Sequence, residues 1–317
     1  MNSCLSGVAT VTLNPAIDHS IGLADFTPGA LNRVVWEQLE AGGKGVNVAS
    51  LLADLGLRVA VTGLLGEEGA EPFTRQFSER GIVDAFVRVS GKVRVNLKLV
   101  DLRTGEVSEV NFPGIAPRAD DLVRLKSALD GLLAENDCIV VAGSLPPGLP
   151  ASYCRDLVLH LQAAGMRVVV DGSGEALRLA IDATPWMIKP NVAELEDLVG
   201  EKLPQQKARL RAARRLHERG VTHVVVSMGP AGALFVSGEQ ALHAQPPAVE
   251  IKTTVGAGDA LVAGFLAGER RGAPLAACAR LATACALARI TCPNARLSAS
   301  AIDDWARRVQ VSPIGDD

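Results

Sequence analysis

The segment Thr254-Val255-Gly256-Ala257-Gly258-Asp259 sets two glycines around an alanine and then a single carboxylate. Apolar residues follow at helical spacing: Leu261, Val262, Phe265 and Leu266. Glycine removes the side chain where a backbone must pass close to something else. Two chemistries fit. The plain one is a glycine turn closed by Asp259 as the N-cap of the helix. The other is a carboxylate base beside bare backbone N–H groups, a combination suited to proton removal next to an anion. A second glycine group, Gly42, Gly43 and Gly45 around Lys44, stands before another apolar helix with Asn47 near its start. It reads as a tight strand-to-helix turn or as a site for an anion or a sugar close to the main chain. It is not a Walker A loop, because Gly45 and not Ser or Thr follows Lys44.

Other polar residues stand where apolar runs end. Asp18 follows Asn14-Pro15 and reads as a turn residue or a hydroxyl ligand. Ser144 opens a Gly- and Pro-rich loop. Lys189 and Asn191 end a short run, and Glu194 follows. Asn191 and Glu194 have the spacing of a helix capping box, and the same pair could hold water around a magnesium ion. Gly229 and Gly232 follow Ser227 in a turn that suits a flat ligand or phosphates. The run Val93–Val100 alternates strictly, with Val93, Val95, Leu97 and Leu99 on one face and Arg94, Asn96 and Lys98 on the other. That polar face is either solvated or a clamp for an anion and hydroxyls.

The elements behind these residues alternate. Apolar runs ending in Gly, Ser, Asp or Asn (GVATVTL, RVAVTGLLG, CIVVAGS, RVVVDG, WMIKPN, HVVVSMG) are separated by amphipathic helical patterns. This predicts an α/β fold with a mainly parallel sheet, whose ligands gather at the carboxyl ends of the strands. Two segments, 15–40 and 91–112, break the rhythm. They read as β structure with turns at Thr27-Pro28-Gly29 and near Thr104-Gly105. They predict a small β-sheet lid over a core made of residues 1–14, 41–90 and 113–317.

Composition narrows the classes. Of the 317 residues 48% are hydrophobic, enough for a large core and against disorder. Aromatics are 3% and the net charge is −3 without a basic stripe, which argues against nucleic acid and membrane surfaces as partners. The six cysteines form no C-x-x-C pair. Cys278, Cys285 and Cys292 recur every seven residues, but in an alanine-rich run without histidine, so they read as core residues before Pro293 and not as metal ligands. Reduced thiols, and a start without the features of a signal peptide, predict a cytoplasmic protein.

Taken together and in this order, GGKGVNVA, KPNVAEL and TVGAGDALVAGFLAG resemble the ribokinase-like (PfkB) family of carbohydrate kinases, over nearly the whole chain. TLNPAID, VRVNLKL and VAGSLPPGLP are similar to the branch of that family that phosphorylates fructose 1-phosphate. The resemblance implies a three-layer fold, ATP and Mg2+ as cofactors, and a homodimer formed through the lid. It implies Asp259 as general base, with Gly256, Ala257 and Gly258 presenting N–H groups to the transferring phosphoryl group. Asp18, Gly43 and Asn47 would hold sugar hydroxyls. Lys44, Arg94 and Lys98 would neutralise the substrate's own phosphate, assisted by Asn96 and Ser144. Lys189, Asn191, Ser227, Gly229, Gly232, Thr254 and Asn294 would lie along the nucleotide, and Glu194 would organise the metal. Asn294 sits in Pro-Asn-Ala-Arg, where relatives often have Ser-Asn-Val-Gly. Kinases of tagatose 6-phosphate or fructose 6-phosphate share most of this pattern, and a sensor of sugar phosphates on the same fold is the non-enzymatic alternative.

Overall fold

The computed structural model describes residues 7–292 and 296–315. The strand Gly7–Thr12 lies inside an 11-stranded sheet, nearer one edge than the other. It pairs in parallel with Val59–Glu68 on one side and with Asn136–Ala142 on the other. Arg167–Asp171, Met187–Ile188 and His223–Ser227 continue the parallel run. Ala233–Ser237, Gln240–Gln245 and Gln310–Pro313 then close that edge in antiparallel fashion. Because this first strand has parallel neighbours on both sides, its carboxyl end is a topological switch point, where a crevice opens between diverging connections.

Both faces of the central strands are buried, which is why their sequences are continuously apolar. Val8, Val59, Val61, Cys138 and Val140 pack into one core, and Ala9, Val11, Ala60, Ile139 and Val141 into the other. The helices Lys44–Asp54, Ala257–Arg270 and Leu275–Thr291 cover the first face. Helices including Ser152–Ala163 and Gln206–Glu218 cover the second. The result is the expected three-layer arrangement. The helix Gln206–Glu218 buries Leu210, Ala212, Ala213 and Leu216, so its arginine-rich face is an outer one.

The cysteine stripe has a packing explanation. Ala257–Arg270 and Leu275–Thr291 approach so closely that a Cβ on Gly264 would stand 2.6 Å from Ala282 Cα, and one on Gly268 would stand 2.9 Å from Cys278 Sγ. Small residues on both helices permit this contact. Cys278 and Cys285 are free and buried, and burial raises their thiols to about 11 and about 12. Pro293, Asn294 and Cys4 lie outside the described residues. Among the described residues, no helix is long and apolar enough to cross a membrane.

The lid is a separate four-stranded sheet in the order Val34–Gly42, Ala16–Leu23, Arg94–Asp101, Val107–Asn111. Asp18 is therefore a strand residue and not a turn residue, registered between Glu40 and Asn96. Register gives the lid two unlike faces. Asp18, Ser20, Glu40, Asn96 and Lys98 share one; His19, Leu39, Leu97 and Val110 share the other.

Candidate active site

The carboxyl ends of the core strands and the polar face of the lid enclose a cleft of about 1270 Å³. Its floor is the start of the helix Ala257–Arg270. Gly256 is the N-cap, with φ of 79°, a left-handed conformation that favours glycine. Asp259 is thus the third residue of the helix and not its cap. The capping explanation of this carboxylate fails for that reason. The amides of Gly258 and Asp259 belong to the first turn, whose donors have no acceptors within the helix. Gly258 is bare because a lysine passes over it: a Cβ there would stand 3.0 Å from Lys189 Nζ.

Asp259 is buried, and its Oδ2 accepts a hydrogen bond from Asn47 Nδ2 at 2.8 Å. Burial and then the nearby Asp171 push its pKa up from 3.8 to about 6, opposed by Asn47, Lys44 and Lys189. A carboxylate that is ionised near neutral pH yet readily protonated suits a general base. Asn47 reaches it because the strand Val34–Gly42 runs into the helix Lys44–Asp54 through Gly43 alone. Gly43 has φ of 117°, and a Cβ there would stand 3.0 Å from Thr12 Cγ2; on Gly42 it would stand 2.7 Å from Asp18 Oδ2. The glycine pair therefore lets Asp18 and the first strand close on the main chain.

Charges divide the cleft into two ends. At one end, Lys44 Nζ lies 2.9 Å and Lys189 Nζ 3.4 Å from Asp171 Oδ1. Asp171, Glu194 and Asp259 all hold Lys44 protonated against its burial. At the other end, Asp18 accepts from Asn96 Nδ2 at 3.0 Å and from Lys98 Nζ at 3.4 Å. Arg94 lies on the same side, and burial lowers its pKa against the pull of Asp18. Lys44 is accordingly grouped with Asp259 and Asp171, whereas Arg94 and Lys98 sit on the lid. The strand ends contribute Ser144, Lys189, Asn191 and Ser227, and Gly229, Gly232 and Thr254 also line the cleft. Asn191 and Glu194 form a complete capping box, each side chain bonded to the other's amide at 2.8 Å. Gly232 is dictated by the neighbouring strand, since its Cβ would fall 2.0 Å from Ala244 O, while a Cβ on Gly229 would meet nothing within 4 Å.

A model of the family described as pfkB family carbohydrate kinases matches residues 11–302. The chain belongs to this family. It is 47% identical over 281 residues to the 1-phosphofructokinase of Rhodobacter capsulatus, covering 88% of this chain and 89% of that one. It is 41% identical over 261 residues to the 1-phosphofructokinase of Escherichia coli strain K12, covering 82% of this chain and 83% of that one. The crystal structure of phosphofructokinase-2 from Escherichia coli in complex with substrates and products superposes with a TM-score of 0.89 at 29% identity, covering 95% of this chain and 98% of the other.

Within this pfkB kinase, three features of the cleft escaped the sequence reading. Asp171 is fully buried, with Oδ2 unpartnered, and it organises both lysines. Its signal was present: it ends the apolar run RVVVD before a glycine, as Ser144 follows CIVVAG. Asn14 lines the cleft from the crossing into the lid. Val249, Ile251, Ala286, Leu287 and Ile290 form an apolar wall. They come from a loop and a helix far apart in sequence from the strand ends, so no local pattern marks them. Asn294 lies outside the described residues.

Proposed function

We propose that this protein is an ATP-dependent kinase of fructose 1-phosphate, giving fructose 1,6-bisphosphate and ADP. The observation that carries the reading is the placement of one buried carboxylate, Asp259, between a doubly basic lid face and a lysine-lined, partly apolar far end. Asp259 takes the proton of the free primary hydroxyl as that oxygen bonds to the γ-phosphorus and the bond to the ADP oxygen breaks. The amides of Ala257, Gly258 and their neighbours face the charge that develops on the phosphoryl oxygens. Lys44 and Lys189, already held by Asp171, neutralise the polyphosphate. Asp18, Gly43 and Asn47 hold the sugar, with Asn96 and Ser144 beside it. Arg94 and Lys98 hold the phosphate it already carries. The nucleotide lies along Asn191, Ser227, Gly229, Gly232 and Thr254 toward the apolar wall.

Mg2+ fits the carboxylates present. Glu194 spends one oxygen on the Asn191 amide, and Asp171 Oδ2 is buried without a partner. Among the described residues there is no cluster of three or more His, Cys, Asp or Glu placed for a metal. An ion held by one or two carboxylates, water and nucleotide phosphates needs none. When bound, it supplies neutralising charge on the phosphates.

The reading extends to assembly and location. The outer lid face exposes Val34, Val35, Leu39 and Val110, an apolar surface that a second copy would cover. Leu39→Glu should then turn a sedimenting dimer into a monomer. Free thiols at Cys138, Cys154, Cys278, Cys285 and Cys292 suit the reducing cytoplasm. The deciding experiment is coupled ADP release with MgATP and fructose 1-phosphate, fructose 6-phosphate or tagatose 6-phosphate in parallel. Strong preference for fructose 1-phosphate supports the reading. Preference for a 6-phosphate moves the substrate assignment, and binding without ADP release removes the enzymatic one.

A further inference from the structure

Two of the chain's crossings between core and lid lie side by side, and Asn14 ties them together. Residues 13–15 lead into the lid strand Ala16–Leu23, and 112–114 lead out of Val107–Asn111. Asn14 Nδ2 donates to Pro113 O at 3.0 Å and reaches Ser144 Oγ and Leu145 O at 3.4 Å each. It thereby joins both crossings to the loop after a core strand. The main-chain carbonyl of Asn14 accepts from Arg94 Nε at 3.2 Å, and Arg94 Nη1 donates to Phe112 O at 3.1 Å. One side chain of the lid is thus pinned to both crossings at once. Arg94 has five N–H donors in a fixed fork, so two committed donors leave the others for a ligand in the cleft it lines. Gly114 completes the arrangement. Its φ is +96°, and a Cβ there would stand 2.1 Å from Asn14 Oδ1 and 3.3 Å from Arg94 Cδ.

We propose that Asn14 is a positioning residue for the substrate's existing phosphate: its amide fixes the carbonyl that fixes Arg94, and so sets the preference for a phosphorylated sugar. This rests on the reading of Arg94 as a ligand of that phosphate. A guanidinium recognises phosphate through paired, directional N–H bonds, so a small rotation of the fork costs more than a small shift of a lysine would. Asn14 is nearly buried, and the two N–H groups of its amide are shared among Pro113 O, the nearest at 3.0 Å, and Ser144 Oγ and Leu145 O at 3.4 Å.

The test uses Asn14→Ala, Asn14→Ser and Gly114→Ala in the full chain, with thermal melts to identify folded variants. The last displaces Asn14 from the opposite side without touching it chemically. Steady-state kinetics with MgATP are measured on fructose 1-phosphate and on fructose itself. The expected result is a rise in KM for fructose 1-phosphate of about tenfold, the worth of roughly one directed hydrogen bond. KM for ATP should move much less, and the ratio of kcat/KM for fructose 1-phosphate over fructose should fall by about the same tenfold. A KM for fructose 1-phosphate within about twofold of wild type in every folded variant overturns the proposal. So does a parallel loss on both sugars, which would mean that Asn14 touches a hydroxyl common to them. Arg94→Ala run alongside separates the two layers. If it leaves the KM for fructose 1-phosphate unchanged, the phosphate assignment of Arg94 fails. If it raises that KM and the Asn14 variants do not, only the positioning role fails.

Discussion

Asp259→Asn should abolish turnover and at the same time stabilise the folded protein at neutral pH. The native carboxyl binds its proton more tightly than an unfolded one, because burial and Asp171 raise its pKa from 3.8 to about 6. Stability therefore falls as pH rises through the window from about 4 to about 6, and the whole cost is present at pH 7. At 1.36 kcal/mol for each pKa unit, the cost is about 3 kcal/mol. Asparagine has nearly the same shape, and its carbonyl can still accept from Asn47 Nδ2, so the variant removes the charge and little else. Calorimetry on ligand-free protein between pH 4.5 and 8 should show a melting temperature several degrees above wild type at pH 7.5. The gap should shrink to about a third of that as pH falls to 4.5. The coupled assay should show a loss of at least about 10³-fold in kcat. A variant that melts at or below wild type at pH 7.5, a gap independent of pH, or near-normal turnover would each refute the account of Asp259 as a base destabilised by burial.

The kcat/KM profile of the wild type, which reports the free enzyme, should fall below about pH 6 as Asp259 becomes protonated; Asn47→Ala removes the hydrogen bond that favours the charged form, so that acid limb should move up by about one pH unit, and a limb that stays or moves down contradicts the pairing. Arg94→Ala should raise the KM for fructose 1-phosphate by at least tenfold or so while sparing the KM for ATP, as the proposed role of Arg94 at the sugar's phosphate requires; equal weakening of both sinks the division of the cleft. Gly258→Ala places a Cβ 3.0 Å from Lys189 Nζ, covers the bare backbone and should shift that amine by a few tenths of an ångström against Asp171. A drop in kcat of about tenfold or more is expected in the same assay, and wild-type kcat would show that the bare backbone is not required there.

The sheet was legible because its strands are buried on both faces. GVATVT, CIVVA and RVVVD are continuously apolar as strands of a parallel layer between helices are, and they occupy adjacent positions there. The lid was legible from Arg94, Asn96 and Lys98, whose alternation forces one polar face; register with Asp18 turns that face toward the cleft. The apolar alternate, Leu97 and Leu99, proved to be only half-buried. Alternation states that two faces differ and not which of them meets the core. The role of Asp18 as a strand residue was hidden by Asn14-Pro15 before it, because a turn signal carries no information on the conformation of the residues beyond it. The alternative of Asp259 as N-cap fails by three residues, since Gly256 is the cap. A glycine in the left-handed region can start the helix itself, and spacing alone does not reveal φ.

The sequence by itself determined the residue types available for chemistry: a lone carboxylate after two glycines, a lysine between glycines, and a basic lid strand. It determined these because backbone freedom, alternation and helix spacing are local properties of the chain. Only the tertiary structure decided how those groups are paired. Lys44 from one helix start and Lys189 from a distant strand end converge on the buried Asp171. Asn47 meets Asp259 across 212 positions of chain. Burial at that meeting point raises the proton affinity of Asp259, and the cost of removing a charge from water is a property of everything around it, which no local segment contains.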